Sequence, residues 1–314
     1  MCYSLERITS AEIKLEQVAP ITPETVSSEV KGAAKKFDYS QITSAAGFPY
    51  SVVLAVIIGF VFWPLLKTLP GLWFKNDSAY SHGVLVPFLA GYVLIHKWDR
   101  LKSIAIKPSI LAMVLVLPIC YVAFVASRTS NDTMMSRAFV LAVGLTVASV
   151  AGWRIAWAAL PATLYLFFAL PVWTQIIDKF TQPMQVISSS MSVQVLKVLG
   201  YDIYEADATT IMLSHFQMNV GAPCSGLKLM ISLGALMVFF VLIADLKWWA
   251  NLFLAIFIFP LAILTNGLRI AMIGMVGNSY GDEAGHQFHD YSGYLSLIIC
   301  FIVLQKVCRA LGWK

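Results

Sequence analysis

The chain has 314 residues, of which 59% are hydrophobic and 12% charged, with a formal net charge of +5. A soluble domain carries roughly 45–50% apolar and about 25% charged residues, so the main solvent for this chain is lipid and a water-soluble globular domain is excluded. The bases are not clustered with stacking aromatics, which excludes a nucleic-acid-binding surface.

Residues 1–47 differ in kind from the rest. Glu6, Arg7, Glu12, Lys14, Glu16, Glu24, Glu29, Lys31, Lys35, Lys36 and Asp38 alternate in sign with no apolar run between them. A secretory signal needs a basic start followed by a continuous apolar stretch, and neither is present. This segment reads as an uncleaved polar cytoplasmic tail, poorly ordered, ahead of a membrane-embedded domain over residues 48–314.

A helix needs roughly 17–25 apolar residues to cross the hydrocarbon. The pattern predicts an all-α polytopic membrane protein with about eight spans, near Phe48–Leu69, Gly83–His96, Ser109–Ser127, Ala138–Trp153, Ile155–Trp173, Leu227–Ala244, Trp248–Val276 and Tyr291–Leu311. Trp153 and Arg154 must then turn tightly between two spans. Lys97, Arg100, Lys102 and Lys107 crowd one short loop, which the positive-inside rule places in the cytoplasm. Alternation puts Arg154, Lys247, Lys306, Arg309 and Lys314 on the same side, with both termini cytoplasmic.

The connection from Thr174 to Pro223 is long. Ile177, Phe180, Met184, Ile187, Met191, Val195 and Val198 recur at steps of three and four, the signature of one helical face. Such a helix is expected along the outer membrane surface, with Pro183 kinking or interrupting it. Beyond Gly200 the pattern changes. Thr209, Thr210 and Ile211, then Phe216, Met218 and Val220, alternate with polar residues as a small hairpin would.

Of the five cysteines, Cys2 lies in the tail, Cys120 and Cys300 lie mid-span and Cys308 lies near the cytoplasmic end. Cys224 alone falls at the outer face, so it has no disulfide partner in that compartment. It sits in Gly221-Ala222-Pro223-Cys224-Ser225-Gly226-Leu227-Lys228, where Ser225 and Gly226 leave room for a second backbone. A position at a helix N-terminus lowers a thiol's pKa, and the unpaired N–H groups there are candidate oxyanion donors. The alternative is a small residue at a loop-to-helix turn.

Arg269 stands inside an apolar span, one turn after Asn266. A charge there costs about 2.5–3.5 kcal/mol on insertion scales, so it must face protein or water. It is either a structural pin between helices or a fixed cation beside a developing anion. His289 lies at the outer mouth of the last span, suited to proton transfer. His286, His289 and nearby acids are also an alternative metal set, without a distinctive ligand motif. His82, in Tyr80-Ser81-His82-Gly83, adds an outer-side polar group. A thiol, an imidazole and a guanidinium on one side make an acyl-transfer constellation that needs no cofactor.

With these residues in place, the sequence resembles the exosortase/archaeosortase family of polytopic membrane cysteine transpeptidases. The resemblance rests on Cys224-Ser225-Gly226-Leu227, Asn266-Gly267-Leu268-Arg269-Ile270, His289-Asp290-Tyr291-Ser292-Gly293 and Tyr80-Ser81-His82-Gly83-Val84-Leu85-Val86-Pro87, in family order over roughly residues 50–312. It implies Cys224 as nucleophile, Arg269 as stabilising cation and His289 as acid/base. His289 is preferred over His286 because the family histidine is followed four residues later by glycine, here Gly293.

The resemblance further implies a bacterial inner-membrane enzyme working at the periplasmic face. Its substrates would be secreted proteins ending in a short PEP-like motif, a hydrophobic helix and a basic end. An acceptor amine or water would resolve the acyl-enzyme. The competing readings are a transporter or channel lined by Arg269 and Asn266, and a membrane subunit of an exopolysaccharide export system.

Overall fold

A computed structural model describes residues 47–75 and 78–313. Residues 1–46, most of the polar tail, lie outside the described residues. Helices dominate: α1 (Gly47–Val61), α2 (Trp63–Trp73), α3 (Val86–His96), α4 (Trp98–Lys102), α5 (Ile110–Arg128), α6 (Asp132–Ala151) and α7 (Trp153–Tyr165) form the first part. The rest comprises α8 (Thr174–Val198), strands β1 (Ile203–Glu205), β2 (Thr210–Leu213) and β3 (Gln217–Asn219), and α9 (Leu227–Ile243), α10 (Trp248–Tyr280) and α11 (Asp282–Ala310).

Four helices, α5, α6, α10 and α11, are long and apolar enough to cross a membrane, and up to six spans result if each of two bent pairs counts as one. One pair joins α1 to α2 with a 64° bend, and the other joins the α7 segment to α8 with a 58° bend. The remaining expected spans coincide with the shorter apolar helices α3 and α9. The all-helical membrane architecture stands, but a count of eight full-length spans does not follow from it.

Local chemistry explains the boundaries. Ser109 Oγ accepts the Ala112 N–H at the start of α5, and Asn131 Oδ1 accepts the Met134 N–H at the start of α6. These are N-cap bonds that satisfy otherwise orphaned amides. The tight turn expected at Trp153 and Arg154 lies one residue earlier: both are helical, and Gly152 turns at φ +98°, with the Lys107 carbonyl too close for any Cβ. Facing α5 and α6 bury Ala112, Ala123, Ala126, Ala138 and Ala142, whereas Leu117 and Phe124 point outward. Small residues inside and large apolar ones outside is the arrangement expected of helices packed in lipid.

Three apolar clusters follow. Phe62, Leu65, Val86, Met135 and Tyr165 unite α1–α3 with α5–α7. Leu233, Leu254, Ala262, Cys300 and Leu304 unite α9–α11. Adjacent Phe239 and Phe240 on α9 enter one cluster each, so α9 joins the two bundles. The third cluster packs the sheet onto α8 and the C-terminal part of α10 through Leu196, Ile211, Phe216, Met218 and Ile270.

Helix α8 takes up the first half of the long connection, and of a kink or an interruption at Pro183 the interruption does not occur. It runs unbroken through Pro183. Of the seven residues on its expected apolar face, Met184 alone is fully buried, while Phe180, Ile187 and Val198 are exposed. The buried face is instead Ser188, Ser189, Ser192, Val193 and Leu196. In an apolar solvent, small polar side chains give the close helix–helix contact and bulky apolar ones face away.

The sheet has the order β1-β2-β3, antiparallel, with Ile211 opposite Met218. The expected hairpin is β2–β3. Phe216 wedges between α10 and α11, where a Cβ at Gly277 or Gly285 would come within 2.6 or 2.9 Å of its ring.

Candidate active site

From β3 the chain makes a 3₁₀ turn, Ala222–Cys224, and then enters α9. Gly226 takes φ +80° between them, and a Cβ there would lie 2.9 Å from the Asn266 amide group. Both the left-handed backbone and the close approach demand glycine. The turn uses its own amides: Cys224 N–H donates to Gly221 O at 2.9 Å and Ser225 N–H to Ala222 O at 3.2 Å. Leu227 N–H reaches the buried Ser225 Oγ at 3.3 Å. Of the amides around Cys224, these three are therefore already engaged.

Two helices fasten this turn from behind. Asn266 Nδ2 on α10 donates to Cys224 O at 2.7 Å and to Ser188 Oγ at 2.9 Å. Ser188 on α8 in turn donates to Ser225 O at 3.1 Å. Gln185 Nε2 holds Val220 O at 3.1 Å. The main chain on both sides of the thiol is thus tied to buried polar side chains, so Asn266 and Ser188 position Cys224 without touching its sulfur.

The sulfur meets His289. Cys224 Sγ and His289 Nε2 lie 2.9 Å apart, within hydrogen-bond reach. The other ring nitrogen, Nδ1, has Asp290 Oδ1 at 3.4 Å, and that carboxylate is 75% exposed. Arg269 acts on the histidine's backbone. Its Nε donates to Ser292 Oγ at 2.9 Å and a terminal nitrogen to His289 O at 3.1 Å, while Ser292 Oγ also donates to His289 O at 3.1 Å. Arg269, a residue only 9% exposed, clamps the turn of α11 that carries the imidazole.

Arg269 and His289 stand equally far from the opposite ends of their helices. Arg269 lies about 21 residues from the start of α10 and His289 about 21 residues from the end of α11, or about 32 Å at the α-helical rise. Arg269 was expected in mid-span. Within the 33-residue α10 it is followed by apolar Ile270, Ala271, Met272 and Ile273, and it is buried against protein, as a charge in such a run must be.

Two cavities flank the pair. One, of about 350 Å³, is lined by Cys224, His286, His289, Ile270, Ile273 and the run Phe216–Gly221. The other, of about 280 Å³, is bordered by Ser81, Gly226, Lys228, Ser232, Asn266, Arg269 and Tyr294. His286 is exposed at the rim of the first. His82 is not part of the reacting group. Its Nδ1 lies 3.0 Å from Ser232 Oγ, and burial, aided by nearby Lys228, pushes its pKa down to about 4. Tyr80 packs beside it, its hydroxyl accepting the Trp173 N–H, and burial pushes its pKa up.

Reasoning from sequence missed Ser188, Gln185 and Ser292. Serines on helices carry no distinguishing pattern, although Ser292 stands within the quoted His289–Gly293 motif. It also missed that Arg269 reaches the site through His289.

Comparison with known proteins gives the family of the chain. Neither the curated proteins nor the solved structures gave a match. A family model described as transmembrane exosortase matches residues 73–305, which include Cys224, Asn266, Arg269 and His289. The chain is a member of the transmembrane exosortase family.

Proposed function

We propose that this exosortase is a membrane-embedded cysteine peptidase/transpeptidase that cuts the C-terminal sorting signal of secreted proteins through a thioester on Cys224. The 2.9 Å contact between Cys224 Sγ and His289 Nε2 carries the reading. A thiol paired with an imidazole is the arrangement that makes a thiolate available near neutral pH.

The steps follow from the geometry. His289 Nε2 takes the thiol proton, and the sulfur attacks the scissile carbonyl to give a tetrahedral oxyanion. Arg269, bordering the adjoining cavity, is the cation that steadies this charge while it holds the His289 turn in place. The C–N bond then breaks, and His289 delivers its proton to the departing amine. An acceptor amine, or water, attacks the thioester and restores the thiol. The substrate's hydrophobic helix enters among the spans, so its cleavage motif meets the site at membrane level. Segregation of Lys97, Arg100, Lys102 and Lys107 from the site supports a periplasmic location with cytoplasmic termini.

The experiment is processing of a membrane-anchored reporter ending in a short PEP-like motif, an apolar helix and a basic end. Cys224→Ala is expected to insert normally and leave the reporter uncut. Cutting at the wild-type rate by that variant would overturn the reading, and would favour a transporter or an export subunit.

A further inference from the structure

Strand β3 is the last in its sheet, with β2 on one side. Leu213 N–H donates to Phe216 O and Val220 N–H to Thr209 O, both at 2.8 Å, and Ile211 stands opposite Met218 between them. Backbone groups in an antiparallel pair alternate in direction. Phe216, Met218 and Val220 therefore bond to β2, and Gln217 and Asn219 turn theirs to the open edge. Asn219 O is taken by Gly221 N–H at 2.9 Å. The open edge thus offers Gln217 N–H, Gln217 C=O and Asn219 N–H.

This edge does not face bulk water alone. The run Phe216–Gly221 lines the cavity that also holds Cys224 and His289. An exposed strand edge is a ready template for another extended chain. We infer that the acyl side of the substrate binds as an added strand on the edge of β3, with its scissile carbonyl delivered to Cys224. The inference rests on Cys224 being the nucleophile and adds how the substrate is held. Its occupant is an extended peptide because three main-chain groups in strand register match the main chain of any residue, whatever its side chain. The apolar wall of Ile270 and Ile273 closes the cavity behind it. The departing part of the chain continues past Gly226 and Arg269 into the second cavity between α9 and α11.

The test uses the full chain in detergent and two reagents for Cys224: iodoacetamide, which needs no strand contact, and acetyl-tetra-alanyl chloromethyl ketone, which presents an extended backbone. N-methylating the probe's amides one at a time is expected to slow labelling about tenfold at alternate residues and little between them, because only alternate N–H groups face β3. Gln217→Pro, which removes an edge N–H but no bond to β2, is expected to slow the peptidyl probe about tenfold and leave iodoacetamide unchanged. Gln217→Ala is expected to behave as wild type with both. Equal sensitivity at every methylated position, or full-rate peptidyl labelling of Gln217→Pro, would overturn strand addition. The two readings fail separately: a Cys224 that is alkylated yet dispensable for processing sinks the thioester, not the edge.

Discussion

Cys224 Sγ and His289 Nε2 stand 2.9 Å apart although 65 residues separate them in the chain. The contact is held by backbone anchors on either side, Asn266 on the Cys224 carbonyl and Arg269 on the His289 carbonyl. Each partner is therefore aimed in part by α10, with Ser188 and Gln185 of α8 also holding the Cys224 turn.

The acid near His289 is expected to matter little. Asp290 is 75% exposed and 3.4 Å from Nδ1, and exposed pairs contribute about 0–1 kcal/mol. Asp290→Asn should keep reporter processing within about tenfold of wild type, whereas His289→Ala should lower it about 10²–10⁴-fold. A loss in Asp290→Asn as large as in His289→Ala would make the carboxylate an equal member of the machinery.

Arg269 is expected to resist conservative replacement. A planar guanidinium bonds Ser292 and the His289 carbonyl at once, which a lysine ammonium on a flexible stem does not reproduce. Arg269→Lys should cost at least about tenfold in processing and shift its pH profile, because His289 is no longer fixed. Ser292→Ala, losing one charge-assisted bond of about 1.5–3 kcal/mol, should show a milder form of the same change. An unchanged pH profile in Arg269→Lys would count against the clamp.

The Cys224 turn should fail through its glycine. Gly226→Ala places a side chain at φ +80° and within 2.9 Å of Asn266. The left-handed backbone alone costs about 1–2 kcal/mol. Slower iodoacetamide alkylation of Cys224 and a lower melting temperature in detergent are the expected results, and a variant matching wild type in both would refute the packing described.

Acid should destabilise the fold through His82. Its folded pKa of about 4 lies below the ordinary histidine value of 6.5, so the unfolded chain binds the proton first. Stability is then complete above pH 6.5 and falls as pH drops towards about 4, by up to about 3 kcal/mol. His82→Gln should flatten that part of the melting-temperature profile in detergent. An unaltered slope would place the acid sensitivity elsewhere.

Much of this molecule is legible in its residues, for physical reasons that also mark where reading stops. The apolar runs predict helices because lipid leaves the backbone no other partner. Alternation from Thr209 to Val220 foretells the β2–β3 hairpin. The apolar stripe of α8 marks a helix with a lipid-facing side but not which side chains meet protein, so the burial of Ser188, Ser189 and Ser192 is not legible from it. Ser188 and Ser292 stayed hidden because their roles exist only once α8, α10 and α11 are packed.

The most direct measurement is the mass of the Cys224 peptide during turnover. A tagged membrane-anchored substrate is mixed with excess enzyme, quenched in acid within the first turnover and digested. The account predicts a hydroxylamine-labile adduct on Cys224 equal in mass to the substrate's acyl portion, and none in the His289→Ala protein. Product formed in the same samples while Cys224 remains unmodified, or an adduct on another residue, would contradict it.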